Sequence, residues 1–256
     1  MPSLANIYYH EYAGSSEHQR PAVVLIHGAG GTHLYWPPEL RRLPGYRVYA
    51  LDLPGHGKSG GRGLQSVAAY AKAVAEWLLA LGIHSAVFAG HSMGSAIALT
   101  LALEHAEHVN GLILIGAGAR LKVGSELLEN AASPTTFQNA VNLVIEWSFS
   151  AATPPRLKVL ATQRMRETRP SVLYRDFTAC NDFDVRERIG QIHQATLIIC
   201  GSEDKMTPLR QSQFLAEHMP ATTLRTIYEA GHMVMLEKPQ AVEEAILGFL
   251  PGVKYL

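Results

Sequence analysis

The sequence predicts an α/β fold with a mostly parallel central sheet covered by helices on both faces. Three observations predict it. Short β-branched runs alternate with longer segments of helical periodicity, the rhythm of strand–helix–strand crossovers. The runs are apolar almost without interruption, as expected of strands buried on both faces. The chain also has 256 residues, 47% of them hydrophobic, enough for one large layered core.

The strand candidates, in order, are "AVVLIH" (Ala22–His27), "RVYALD" (Arg47–Asp52), "SAVFAG" (Ser85–Gly90), "GLILIG" (Gly111–Gly116), "ATLIICG" (Ala195–Gly201) and "TLRTIYEAG" (Thr223–Gly231). Between them, Leu64–Leu81 repeats apolar residues at helical spacing and stops at Gly82, a residue suited to ending a helix. Ser95–His105 and Pro239–Leu250 read as helices too, the second opening with a proline that a first turn tolerates. From about Ala119 to Glu187 no strand pattern recurs. Helical pieces (Ser125–Ala132, Pro134–Phe149, Pro155–Glu167) follow one another there, broken by Pro134, Pro154, Pro155 and Pro170. This stretch is expected to be a helical insertion lying over the carboxyl edge of the sheet.

Charge and composition exclude several functions. Lys plus Arg and Asp plus Glu are equal, 22 each, so no basic surface points to nucleic acid or to an anionic membrane. No apolar run approaches a membrane span, and "MPSLANIYYHEYAG" does not read as a secretory leader. Cys180 and Cys200 match no metal-binding or redox spacing and read as reduced, buried residues of a cytoplasmic protein.

The chemistry concentrates at "VFAGHSMGSAIAL". Gly-x-Ser-x-Gly between a strand and a helix is the pattern of a turn so sharp that its flanking positions carry no side chain. Gly90 and Gly94 would then present Ser92 above the sheet at the positive end of a helix. A serine hydroxyl needs a base, and the base needs an orienting group. His232, in "EAGHMVMLEKP", and Asp204, in "GSEDKMTP", each follow a strand, where open α/β sheets place their sites. Glu203 is the neighbouring acid, and Asp204 is preferred because its loop adjoins that of the histidine. Acyl transfer also needs oxyanion donors. The amide of Met93, just after the serine, is one; "LIHGAGGTH" supplies the other, assigned to Ala29.

Taken together, "HGAGG", "LDLPGHGKSG", "GHSMG", "GSEDKMTP" and "AGHMVMLEKP" resemble the α/β-hydrolase superfamily, in its capped, serine carboxylesterase-like branch. The resemblance runs in order over nearly the whole chain. It implies a nucleophile at Ser92, a base at His232, an acid at Asp204, and oxyanion amides at Ala29 and Met93. Gly201, Asp204 and Pro208 match the acid loop of that superfamily. It also implies a core domain formed by residues 1–118 and 188–256, with residues 119–187 as a helical cap inserted after the sixth strand. One departure is Ser95, where many relatives carry a further glycine.

The remaining candidates have structural readings. His27 and His91 are expected to brace main chain, and His56 to belong to a glycine-rich turn. His105 and His108 lie about a helical turn apart but lack a third ligand, so a metal pair is not favoured. A dinucleotide-binding loop at "GAGGTH" with Asp52 as the ribose-binding acid fails at the third glycine, which falls on His33. Serine at position 92 argues against the haloalkane dehalogenase and epoxide hydrolase relatives, which use aspartate there. Ester hydrolysis through an acyl-enzyme is therefore expected, on a small to medium hydrophobic ester and without metal or organic cofactor. Carbon–carbon bond hydrolysis (with Arg120 the one cation in view), perhydrolase or lyase activity, and a non-turnover receptor are the alternatives. The sequence leaves the oligomeric state open, monomer or homodimer.

Overall fold

The computed structural model describes residues 3–14 and 20–254. Eight strands form one sheet among them, in the order β1-β2-β4-β3-β5-β6-β7-β8. The six strands from β4 to β8 are parallel: β3 (Ala22–Ile26), β4 (Arg47–Asp52), β5 (Ala86–His91), β6 (Val109–Ile115), β7 (Thr196–Gly201) and β8 (Thr222–Ile227). β1 (Ser3–Leu4) and β2 (Ile7–Ala13) add an antiparallel edge, β2 pairing with β4 from Tyr8 opposite Asp52 to Ala13 opposite Arg47. The sequence reading had assigned no strand to this amino-terminal stretch. Its one-sided pattern, buried at Ile7–Tyr9 and partly exposed beyond, belongs to an edge strand and lacks the long apolar run of a central one.

Alternation along each central strand divides the core in two. Val24, Ile26, Phe88, Leu112 and Leu114 face α2 (Val67–Ala80) and α3 (Met93–Glu104), with Trp77 fully buried among them. Val23, Leu25, Val87, Ala89, Ile113 and Ile115 face the other way, against α1 (Pro38–Arg41) and the later helices α9 (Val234–Glu237) and α10 (Pro239–Phe249). Because both faces are covered, an unbroken apolar run is what each strand needs. α3 is buried at ten successive residues, Met93 to Ala102, which marks it as the central helix of the layer.

Several boundaries differ from the sequence reading by a few residues, two of them for evident local reasons. The run Thr223–Gly231 pairs only as far as Ile227, because Glu229 adopts a φ of 53° and turns the chain. The helix expected from Leu64 starts at Val67, where the Ser66 side chain accepts from the Ala69 amide and caps it. Four helices separate β6 from β7: α4 (Ser125–Ala131), α5 (Phe137–Ser148), α6 (Pro155–Arg166) and α7 (Pro170–Asn181). A single backbone bridge, Arg120 to Asp184, joins the two ends of this helical stretch. α8 (Leu209–His218) follows β7.

From β3 the chain crosses to β4 on one side and later returns to place β5 on the other. Such a switch of direction opens a crevice at the carboxyl ends of the two strands. The loop from His27 and the turn at Ser92 both emerge there.

Candidate active site

Ser92 sits at the junction of β5 and α3 with φ 54° and ψ −115°. A non-glycine residue with positive φ outside the left-handed helical well is strained, and such strain persists only where neighbours enforce it. The enforcing contacts are main chain. A Cβ on Gly90 would overlap the Gly94 carbonyl, and one on Gly94 would overlap the Ile26 carbonyl. The Ser92 amide donates to Ile115 O at 2.9 Å, tying the turn to β6. Ser95, fully buried, has its hydroxyl 2.7 Å from Gly90 O and 3.0 Å from Ile115 O. The serine hydroxyl therefore fastens the turn from beneath.

His232 and Asp204 are brought together from neighbouring strand ends. His232 Nδ1 lies 2.9 Å from Asp204 Oδ2 and 3.2 Å from Thr207 Oγ1. The carboxylate also accepts from the Met206 amide at 2.9 Å, the Thr207 amide at 2.8 Å and the Thr207 hydroxyl at 2.9 Å. Burial by itself would raise the Asp204 pKa, but the imidazole beside it and the Thr207 donors hold it below the usual carboxylate value. An ionised Asp204 fixes the proton of His232 on Nδ1 and leaves Nε2 as the lone-pair nitrogen. Glu203 points elsewhere, its Oε2 accepting from the Ala151 amide at 3.3 Å.

Both loops lie close because glycine allows it. A Cβ on Gly201 would overlap the Ala230 and Gly231 carbonyls. The histidine loop is held further by Glu237, whose carboxylate accepts from the Gly231 and Ser150 amides at 2.8 and 3.0 Å. Sequence reading missed Glu237 and Thr207 as parts of the site, although both stand inside the quoted motifs. A carboxylate in "MLEKP" carries no sign that it faces main chain amides.

The loop after β3 carries Ala29 past Ser92. His27 Nε2 accepts from the Leu53 amide at 3.0 Å, so Nδ1 bears the proton and donates to Gly28 O at 2.8 Å. Burial, then the charge of His56, lower the His27 pKa to about 4, and it stays neutral. His27 thus braces main chain. His91 does the same, donating from Nε2 to His232 O at 3.0 Å. Asp52 accepts from the His33 and Lys58 amides at 2.7 and 2.9 Å, so its carboxylate is committed to the glycine-rich turn.

Gly28, Ala29, Ser92 and His232 line one cavity of about 80 Å³. The opposite wall is formed by the helical stretch, with Val144, Ser148, Met165, Phe177 and Cys180. The lining is predominantly apolar, with a few polar groups converging near Ser92, the form of a small-molecule site.

The alpha/beta hydrolase fold family model matches residues 21–239. The chain belongs to that family. A solved structure described as a thermophilic esterase is 34% identical and superposes with a TM-score of 0.81 over 96% of this chain and 94% of its own. The protein named "Putative carbamate hydrolase RutD" of Caulobacter sp. (strain K31) is 28% identical over 95% of this chain and 96% of its own length. A 2-hydroxy-6-oxo-6-phenylhexa-2,4-dienoate hydrolase of Burkholderia cepacia is 28% identical over 91% and 88%.

Within this α/β hydrolase the other expected positions are accounted for. Arg120 pairs with Asp184 at 3.6 Å, on the partly exposed joint between the ends of the helical stretch. Lys122, two residues on, lines the cavity instead; sequence reading passed it over in a polar connection. Cys180 and Cys200 are free and buried. His105 caps the end of α3, and His108 Nδ1 donates to His84 O at 2.7 Å. Among the described residues no helix is long and apolar enough to cross a membrane.

Proposed function

We propose that this α/β hydrolase cleaves carboxylic esters through an acyl-enzyme formed on Ser92. The observation that carries the reading is the buried His232–Asp204 pair opening into the cavity that holds the strained Ser92. In the reaction, Ser92 Oγ attacks the ester carbonyl while His232 Nε2 takes its proton. Asp204 holds the imidazole tautomer and stabilises its cation. The negative oxygen of the tetrahedral intermediate lies between the amides of Ala29 and Met93, the second at the first residue of α3, where the helix dipole adds to it. The intermediate collapses with loss of the alcohol, which takes the proton from His232. Water then enters, gives a proton to His232 and attacks the acyl carbonyl, and the second tetrahedral intermediate releases the acid as Ser92 Oγ leaves and takes that proton back from His232.

The apolar lining and the cavity of about 80 Å³ favour a small hydrophobic acyl group. The helical stretch over the cavity acts as the cap, between core segments 1–118 and 188–256. A second reading rests on Lys122 in the cavity wall, which would favour a substrate with a carboxylate, as in carbon–carbon bond hydrolysis.

The test is intact mass after treatment with a fluorophosphonate, on wild type and Ser92→Ala, beside hydrolysis of p-nitrophenyl esters of increasing acyl length. Single labelling lost in Ser92→Ala, with turnover of short esters, is expected. Labelling without ester turnover would move the function to carbon–carbon hydrolysis, perhydrolysis, a lyase or a receptor. Turnover undiminished in Ser92→Ala would refute the mechanism.

A further inference from the structure

Asp176, on α7, is fully buried. Its Oδ2 accepts from the Gly30 amide at 2.9 Å and from His56 Nε2 at 2.7 Å, and its Oδ1 from the Tyr70 hydroxyl at 2.7 Å. His56 Nδ1 faces Pro54 O at 3.2 Å, so both ring nitrogens point at acceptors and the imidazole is satisfied only as a cation. A buried carboxylate with a cation and two further donors is a fixed point, since losing the cation leaves an uncompensated charge and losing a donor leaves a buried oxygen unpaired. Thr168, just after α6, adds a second hold: its hydroxyl donates to Gly30 O at 2.7 Å.

Gly30 is the residue after Ala29 and adopts a φ of 65°. Three consecutive peptide units around Ala29 are therefore held. Gly28 O, in the same peptide plane as the Ala29 amide, is bound by His27 Nδ1 and by the Gly31 amide at 3.0 Å. Carbonyl and amide of a trans peptide point in opposite directions, so holding Gly28 O one way aims the Ala29 N–H the other. The next unit is held by Asp176 through the Gly30 amide, and the one after by Thr168 through Gly30 O. His27 belongs to the core; Asp176 and Thr168 come from the helices between β6 and β7, more than 130 residues away in sequence.

We infer that Asp176 and Thr168 are positioning residues for the Ala29 oxyanion donor. The helical stretch then completes the transition-state site as well as covering the substrate. The inference rests on the proposed acyl-transfer reaction and adds to it a dependence of kcat on residues that touch no substrate. An oxyanion donor contributes mostly in the transition state. Misaiming it should lower kcat while KM stays nearly constant, by less than the roughly 100- to 1000-fold of removing a donor outright.

Asp176→Ala, Asp176→Asn, Thr168→Val and Thr168→Ser are compared with wild type on a short p-nitrophenyl ester, with sites counted by fluorophosphonate labelling. The expected result for Asp176→Ala is a kcat per labelled site lower by about 10-fold or more, with KM within about twofold. Inhibition by an alkyl trifluoromethyl ketone, which forms a tetrahedral adduct, should weaken by the same factor as kcat/KM. Thr168→Ser should keep most of what Thr168→Val loses, and Thr168→Val, nearly isosteric, carries the test if Asp176→Ala does not fold. Variants that only melt earlier, with kcat per labelled site and ketone affinity unchanged, would overturn the inference. That result leaves the ester-hydrolase reading standing, whereas a wild-type chain that neither labels at Ser92 nor turns over esters overturns both.

Discussion

His91 Nε2 donates to the main-chain carbonyl of His232 at 3.0 Å. The residue before the proposed nucleophile thereby holds the loop that carries the proposed base, across 141 positions of sequence. The two rings lie 4.7 Å apart, and burial followed by the charge of His232 lowers the His91 pKa to about 3. A cationic His91 would set a second positive charge against the imidazolium that His232 becomes on taking the Ser92 proton, the two rings being tilted at 51°. Its neutrality is part of the geometry.

Stability should therefore fall in mild acid. Unfolded histidines take up protons near 6.5, whereas folded His27 and His91 do not until about 4 and about 3. Between those limits the unfolded state binds more protons, so stability decreases as pH drops, by about 1.4 kcal/mol per pH unit for each histidine. Asp204, held low, adds a loss below its unfolded value of 3.8, as pH falls through its folded pKa. His56 opposes them: burial lowers its pKa, but Asp176 raises it overall, so its contribution is full below 6.5 and is lost as pH rises through the folded value. Melting temperatures from pH 4 to 6.5 should slope upward, and His91→Gln, which keeps a donor toward His232 O, should flatten that slope. An unchanged slope would count against a neutral buried His91.

Asp204→Asn should lower kcat by about 10⁴-fold with the fold intact, because the amide no longer stabilises an imidazolium or fixes its tautomer. Thr207→Val, losing one hydroxyl contact to Asp204, should cost about fivefold, the equivalent of ~1 kcal/mol for a single hydrogen bond. Steady-state kinetics on one ester separates the two; equal losses would mean that Thr207 matters through the loop and not through the carboxylate.

Two glycine-to-alanine changes should move stability in opposite directions. In Gly94→Ala the new methyl meets the Ile26 carbonyl, rigid main chain of the central sheet, and the expected loss is about 3 kcal/mol or more. Gly248, within α10, has nothing within 4 Å of the added methyl, so Gly248→Ala should gain about 0.5–1 kcal/mol. Denaturant titration reads both signs.

Neither thiol should react in the native protein at neutral pH. Burial first, then the nearby Asp176 carboxylate, push the Cys180 thiol far up, and burial with Asp204 pushes Cys200 up to about 11. Ellman's reagent should find about no thiolate before denaturation and both thiols after it. Rapid native labelling of Cys180 would show that the cavity it lines opens freely.

Val144→Ala, which takes two methyl groups from the cavity wall, should shift the preferred acyl chain of p-nitrophenyl esters toward longer members. An unchanged preference would place the acyl group elsewhere in the cavity.

The parallel strands were legible because burial on both faces demands apolar residues at every position, and a sequence displays that demand directly. The turn at Ser92 was legible because its two glycines answer main-chain contacts that no side chain could replace. Edge elements were less so. β2 has a full-length partner only in β4, with β1 covering just Ile7 and Tyr8 on its other side, and its mixed pattern suits several conformations. The positions of Asp204 and His232 followed from strand order, whereas the choice of Asp204 over Glu203 became geometry only when the Thr207 and Met206 amides were seen to converge on one carboxylate.

What local sequence could specify was the kind of element and the order of its reactive residues, since helical period, apolar runs and tight turns are all set by neighbours a few residues apart. What needed the folded chain was every contact between polar groups distant in sequence. Asp176 is an ordinary acidic residue within "LYRDF" until α7 packs its carboxylate against His56, Tyr70 and the Gly30 amide. A charge can be buried in several places, and only the completed set of donors around it selects one.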